Sequence, residues 1–198
     1  MRENENIEEM KQHYEELLSK IDGLIAKGNT VVAIEGGSAS GKTTLAKMLS
    51  DVYGCTVFHM DDFFLRPEQR TKGRYEEIGG NVDRERFLSE VLIPLKNGEP
   101  IKYRKFDCSS MTLTDEETVI PKKLTIVEGA YSMHPELAEY YDLSVFLEIS
   151  PEFQRGRILR RNGEKMAERF FNEWIPLENI YFEKTDIKSR CDLTVKIK

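Results

Sequence analysis

Thr30 to Leu49 reads TVVAIEGGSASGKTTLAKML, and no other stretch restricts the fold so tightly. Val31, Val32, Ala33 and Ile34 form a short, β-branched-rich apolar run, the pattern of a strand buried on both faces. Gly36, Gly37, Ser38, Ala39, Ser40, Gly41, Lys42 and Thr43 then match G-x-x-x-x-G-K-[ST]. Thr44 leads into a segment where Leu45, Met48, Leu49 and Val52 recur at helical spacing, with Gly54 as a helix stop. Glycines let a backbone approach an anion closely and adopt conformations that a side chain would penalise. The loop's N–H groups and the positive end of the new helix then face phosphate oxygens, with Lys42 toward the β- and γ-phosphates and the Thr43 hydroxyl toward Mg²⁺. Gly-rich strand–helix turns also occur without a ligand. Lys-Thr at this spacing, with both flanks in place, makes residues 36–44 a nucleotide-binding site.

The 198 residues fit one domain with a sizeable core, and 39% apolar with 32% charged residues describes a soluble globular chain. A net charge of −6 argues against general nucleic-acid binding, which favours basic surfaces. Cys55, Cys108 and Cys191 are odd in number, widely spaced and without a CxxC pair, so they read as reduced thiols of a cytosol. His13, His59 and His134 are scattered and form no metal-ligand pattern. No apolar run of about 18 residues and no signal pattern appears, so the expectation is a cytoplasmic protein with no membrane partner.

Residues 5–27 carry Ile7, Met10, Tyr14, Leu17, Leu18, Ile21, Leu24 and Ile25 in steps of three and four, an amphipathic helix. It either packs on the core or forms a homodimer contact, and its spacing alone leaves both open. Cys55 to Met60 reads as a second buried strand delivering Asp61-Asp62-Phe63-Phe64, an acidic pair where open α/β sheets bind ligands. Arg66 to Gly80 is a polar, Gly-containing mobile loop whose Arg66, Arg70, Lys72 and Arg74 read as solvated, with contact to an anionic ligand as the alternative. Asp83 is a good N-cap for a helix with Phe87, Val91 and Leu92 on its inner face. Residues 100–106 pair with 117–120 in a small hairpin joined by Asp107 to Asp115. A third buried strand, Leu124 to Val127, ends in Glu128-Gly129, and an acidic residue there suits a Mg²⁺-associated carboxylate. Pro135 opens a short helix, Leu143 to Ile149 is the fourth strand, and Leu193 to Ile197 is a terminal one. Alternating strands and helices predict a parallel sheet. Pro151 to Arg169 holds Arg155, Arg157, Arg160, Arg161, Lys165 and Arg169, which suit a mobile, arginine-bearing lid, with a solvated face paired with Glu152, Glu164 and Glu168 as the alternative. Trp174 to Lys188 is a further helical stretch.

In this order the motifs GGSASGKTTLA, HMDDFF, GGNVD, KFD, IVEGAY and LEISPEFQRGRILRRN resemble the uridine kinase-like P-loop kinases, which include nicotinamide riboside kinase and phosphoribulokinase. The resemblance implies the P-loop NTPase fold: an α/β domain with a mainly parallel five-stranded sheet flanked by helices, a small β-hairpin extension and a helical lid. Residues 1–28 would be the N-terminal helix packed on the core, and 29–198 the kinase domain. ATP and Mg²⁺ are the implied cofactors, and a small-molecule hydroxyl the implied acceptor. Asp61 holds the position of the catalytic base, with Lys42 at the phosphates and Thr43 and Glu128 at the metal. Asp83 maps to a ribose contact, and Phe63, Phe106 and Asp107 fall on the acceptor-binding motifs. Arg157, Arg160 and Arg161 map to lid arginines on the phosphates, Arg157 and Arg161 being counted as catalytic and Arg161 also as substrate-binding. Phe106 stands where uridine kinases carry a tyrosine, and Met111 where they carry a base-reading histidine. The acceptor is therefore left open between a ribonucleoside 5′-hydroxyl and a pantothenate, glycerate or sugar-phosphate type. A slow ATPase switch without an acceptor is the rival from another class.

Overall fold

The computed structural model describes residues 12–197. Strands β1 (Thr30–Gly36), β2 (Thr56–His59), β7 (Leu124–Glu128), β8 (Leu143–Ile149) and β9 (Leu193–Ile197) form one five-stranded sheet in the order β2-β7-β1-β8-β9. Every pairing in it is parallel, with Ile34 beside both Glu128 and Val145, and Val145 beside Leu193. Helices cover both faces, so the central strands are apolar on both sides. Alternation then sorts the side chains. Val32, Ile34, Ile126, Val145 and Leu147 enter one core, with Leu45 and Leu49 of α2 (Lys42–Tyr53). Ala33, Val127 and Phe146 enter the other, with Phe58, Met60, Phe63 and Phe87.

Helix α1 (Glu15–Ile25) presses Leu17 and Ile21, both fully buried, into the first of these cores. Ile7 and Met10 of the predicted amphipathic segment lie outside the described residues. The polar stretch Arg66 to Gly80 contains a single turn of 3₁₀ helix, Pro67–Gln69, and the short α3 (Lys72–Glu76). Within it Arg74 is not solvated as expected. Its guanidinium donates to the Gly80 and Val82 carbonyls and to Glu85, tying the segment together.

Helix α4 runs through Arg84–Phe87, a π-helical turn Leu88–Leu92, and Ile93–Asn97. The same device joins α5 (Pro151–Arg169) to α6 (Ile175–Thr185) through Phe170–Trp174. In both cases Ile-Pro follows at once, and the proline lacks the N–H that would continue the ordinary ladder. Helix α5 is kinked at Gly163, whose φ of 71° is not helical. The short α7 (Ile187–Arg190) follows a break at Asp186, so Trp174 to Lys188 is not one helix. Pro135 opens a turn rather than a helix, and only Ala138–Tyr140 coil as 3₁₀. Beside the main sheet, β3 (Ile101–Tyr103) pairs antiparallel with β6 (Glu117–Val119). The connection expected between them holds a second ladder, β4 (Phe106–Asp107) with β5 (Thr112–Leu113). Among the described residues, no helix is long and apolar enough to cross a membrane.

Candidate active site

The loop after β1 is shaped by its glycines. Gly36 has φ 147°, and a Cβ there would sit 2.7 Å from the Leu147 carbonyl oxygen. Gly41 is left-handed at φ 100° and starts α2. The Lys42 ammonium donates to the Gly36 and Gly37 carbonyls at 2.7 and 3.0 Å, so the lysine lies along the inside of the loop. The crest is held from outside. Glu178 of α6 accepts from the Ser38 N–H at 2.8 Å and the Ser38 hydroxyl at 2.6 Å. Gln154 and Arg157 of α5 donate to the Ser38 and Ala39 carbonyls. Burial raises the pKa of Glu178, opposed by nearby Lys42 and by the two Ser38 hydrogen bonds.

Alternation along β1 puts Glu35 on the same inward face as Ala33, where it is completely buried. Its carboxylate accepts from the N–H groups of Gly36, Tyr131 and Met133 and from the Tyr181 hydroxyl. Burial still dominates and pushes its pKa up to about 7. The residue before the phosphate loop is thus a near-neutral acid bonded to the segments that follow β7 and to α6.

Strands β2 and β7 bring a second group together. In their register His59 lies beside Glu128, and the His59 Nδ1 is 2.6 Å from the Glu128 Oε1. The Thr43 hydroxyl donates to that same oxygen at 3.0 Å. Burial alone would raise the Glu128 pKa, but His59, Lys42 and Thr43 hold it below the usual range. Asp61 follows β2 in a 3₁₀ turn, Met60–Phe63. It keeps solvent-accessible surface, yet it stands inside a concavity whose walls desolvate it. That desolvation raises its pKa, against the pull of Lys42 and in the company of Glu128, His59 and Arg161.

Of these groups, Ser38, Lys42, Thr43, Asp61, Glu128 and Glu178 line one cavity of about 1330 Å³. That exceeds the roughly 300–1,000 Å³ of a single small-molecule site and leaves room for two ligands. Loop residues 38–44, Asp61 and Glu128 face it, and so do Arg157, Arg160, Arg161 and Arg169 of α5. Among the described residues, no three His, Cys, Asp or Glu side chains are arranged to hold a metal by themselves. Mg²⁺ at a phosphoryl-transfer site needs only one or two protein oxygens, with phosphates and waters completing the shell. The adjacent Thr43 hydroxyl and Glu128 carboxylate are hard donors of that kind.

The model of the Phosphoribulokinase / Uridine kinase family matches residues 31–169, from the first buried strand through the arginine-bearing helix. The chain belongs to this family. A uridine kinase of Staphylococcus carnosus is 27% identical over 176 residues, 79% of this chain and 82% of its own. A phosphoribulokinase of Synechocystis is 28% identical over 147 residues, 70% of this chain and 42% of its own. The solved structure of a possible uridine kinase from Bacillus stearothermophilus superposes with a TM-score of 0.64 at 25% identity, covering 90% of this chain and 98% of that one.

In this member of the uridine kinase-like family, the sequence-predicted residues divide into two groups. Ser38 to Thr44, Asp61, Glu128, Arg157, Arg160 and Arg161 share the cavity, while Gly36 and Gly37 stand behind it and hold Lys42. Phe63, Asp83, Phe106 and Asp107 do not line it. Phe63 is a core ring stacked on Tyr103 and edge-on to Phe87. Asp83 is 2% exposed and caps α4, with its other oxygen facing Arg66 and Arg86. Phe106 is buried beneath Arg70, and the Asp107 carboxylate accepts from Ser109 and Ser110. Met111, a departure from the uridine kinase pattern, does face the cavity, with Phe64, Leu65 and Cys108. Sequence reasoning missed Glu35, His59 and Glu178. Alternation could have found Glu35, and strand register His59. Glu178 comes from 140 residues away and carries no local signal.

Proposed function

We propose that the chain is an ATP-dependent kinase that transfers the γ-phosphoryl group to a hydroxyl of a small molecule, with the 5′-hydroxyl of a ribonucleoside as the first acceptor class. The observation that supports this reading best is the meeting of Lys42, Thr43, Glu128 and Asp61 in one cavity beside the α5 arginines. The loop N–H groups and Lys42 bind the phosphates. Thr43 and Glu128 would hold Mg²⁺, with His59 fixing the Glu128 carboxylate. Bound Mg²⁺ supplies charge neutralisation on the phosphate oxygens. Asp61, whose raised pKa makes it a better proton acceptor than a solvated carboxylate, orients the hydroxyl and takes its proton. As the new O–P bond forms, the bond from phosphorus to the bridging oxygen breaks and ADP leaves. Arg157, Arg160 and Arg161 neutralise the charge that spreads over the migrating group.

The relatives named uridine kinase favour a nucleoside. A second reading, an anionic non-nucleoside acceptor, is favoured by Arg70 on the cavity wall and by Met111 in place of a hydrogen-bonding group. A screen of nucleosides and small hydroxy acids with Mg²⁺-ATP, read as phosphorylated product by mass, separates the two. With the acceptor found, Asp61→Asn should lower kcat by about two to four powers of ten while ATP affinity stays put. Wild-type turnover in that variant removes Asp61 from the role, and ADP release that ignores every acceptor replaces the kinase with a hydrolase.

A further inference from the structure

The cavity runs past what phosphates and an acceptor need. All five strands of the main sheet are parallel, so their C-terminal ends share one rim in the order β2-β7-β1-β8-β9. Asp61 follows β2 at one end of that rim, the phosphate loop follows β1 at its centre, and Ile197 closes β9 at the other end. A triphosphate whose terminal group points toward Asp61 therefore sends its nucleoside toward β9. There the cavity is walled by His13, Tyr14 and Ile197, beside Thr44 and Leu45 on the first turn of α2.

We propose that Tyr14, flanked by His13, is the surface against which the base of the nucleotide stacks, so that the N-terminal helix supplies base recognition to the kinase site. This rests on the nucleotide reading above. Tyr14 is well built for the task. It is 8% exposed and fixed in an apolar cluster with Leu17, Leu45 and Leu193, with Val195 and Ile197 alongside. His13 meets it edge-on, with ring centroids 4.9 Å apart at 79°. Arg157, which also reaches the loop crest, lines the same cavity as Tyr14, so base wall and phosphate site adjoin. Of the other aromatics on the cavity, Phe170 is covered by Arg161 and Trp174 by Arg169, while Phe64 and Tyr75 follow β2 and Tyr131 follows β7, on the Asp61 side of the rim. None of His13, Tyr14 and Ile197 falls within the residues 31–169 matched by the family model, so family membership does not assign this wall.

Calorimetric titration in Mg²⁺ buffer with ATP, and separately with inorganic tripolyphosphate, isolates the base. Wild type should bind ATP about ten-fold more tightly than tripolyphosphate, the scale of one base–aromatic stack. Tyr14→Leu, which keeps apolar bulk, should bring ATP down to the tripolyphosphate level and leave tripolyphosphate itself unchanged. Tyr14→Phe should retain the ATP preference, and His13→Ala should weaken ATP alone by about three-fold, a partial share of the same stack. Equal affinities in wild type, or parallel losses of both ligands in Tyr14→Leu, overturn the base wall while the phosphate site stands. A wild-type protein that binds neither ligand overturns the nucleotide reading, and the wall with it.

Discussion

Glu35 shows what one buried carboxylate does to a chain. Its four hydrogen-bond donors come from β1, from the segment after β7 and from α6, so it fastens three parts of the molecule at the base of the phosphate loop. Burial raises its pKa from 4.5 in an open chain to about 7. The folded state therefore keeps a proton that the unfolded state releases. The stability this brings is complete below 4.5 and is lost as the pH rises through about 7. Thermal and urea unfolding of wild type should weaken across that window relative to Glu35→Gln, by on the order of 3 kcal/mol. A difference between the two proteins that does not change with pH would assign the titration to another group. Residue roles were only partly legible in the sequence. Lys42, Thr43, Asp61 and Glu128 follow motifs, whereas Glu35 sits one residue past the apolar run and looks like a strand end. The Asp83 cap of α4 is legible as an N-cap before a helical run, and it forms; the acceptor contacts of Asp83 and Asp107 rest on resemblance alone, and Asp107 instead accepts from its neighbouring serines.

At the level of elements, the five sheet strands were legible because each is a short apolar run followed by polar or glycine residues. What escaped was local chemistry that depends on partners. The π turns before Pro94 and Pro176 look like plain helix in any periodicity, and the β4–β5 ladder is too short to leave an alternation. Gly129 joins the two kinds of information. Its φ is 147°, and a Cβ would lie 2.5 Å from the Met60 Cβ, where the end of β7 passes the turn that carries Asp61. Gly129→Ala should cost about 3 kcal/mol through backbone strain and overpacking. Its denaturation midpoint measures this. Stability within about 0.5 kcal/mol of wild type would mean that β7 and the Asp61 turn shift apart freely.

For the molecule as a whole, a chain of net charge −6 gathers Arg157, Arg160, Arg161 and Arg169 on one cavity. The local field there opposes the global one, so anion binding should depend on salt. Raising ionic strength from about 0.1 to about 1 M shrinks the screening length from about 10 to about 3 Å and should weaken ATP binding several-fold. Affinity indifferent to salt would mean that these arginines stay in solvent when ATP binds. The overall α/β plan was readable from the order of strands and helices. The far wall of the cavity was not, because His13, Tyr14 and Ile197 come from opposite ends of the chain and meet only through the sheet order. One arrangement has a mechanical corollary. Ser38 and Ala39 are gripped by Gln154, Arg157 and Glu178, which belong to two helices far along the chain. These hydrogen bonds tie that short piece of backbone to the helix that bears the arginines, so displacing the one draws on contacts of the other.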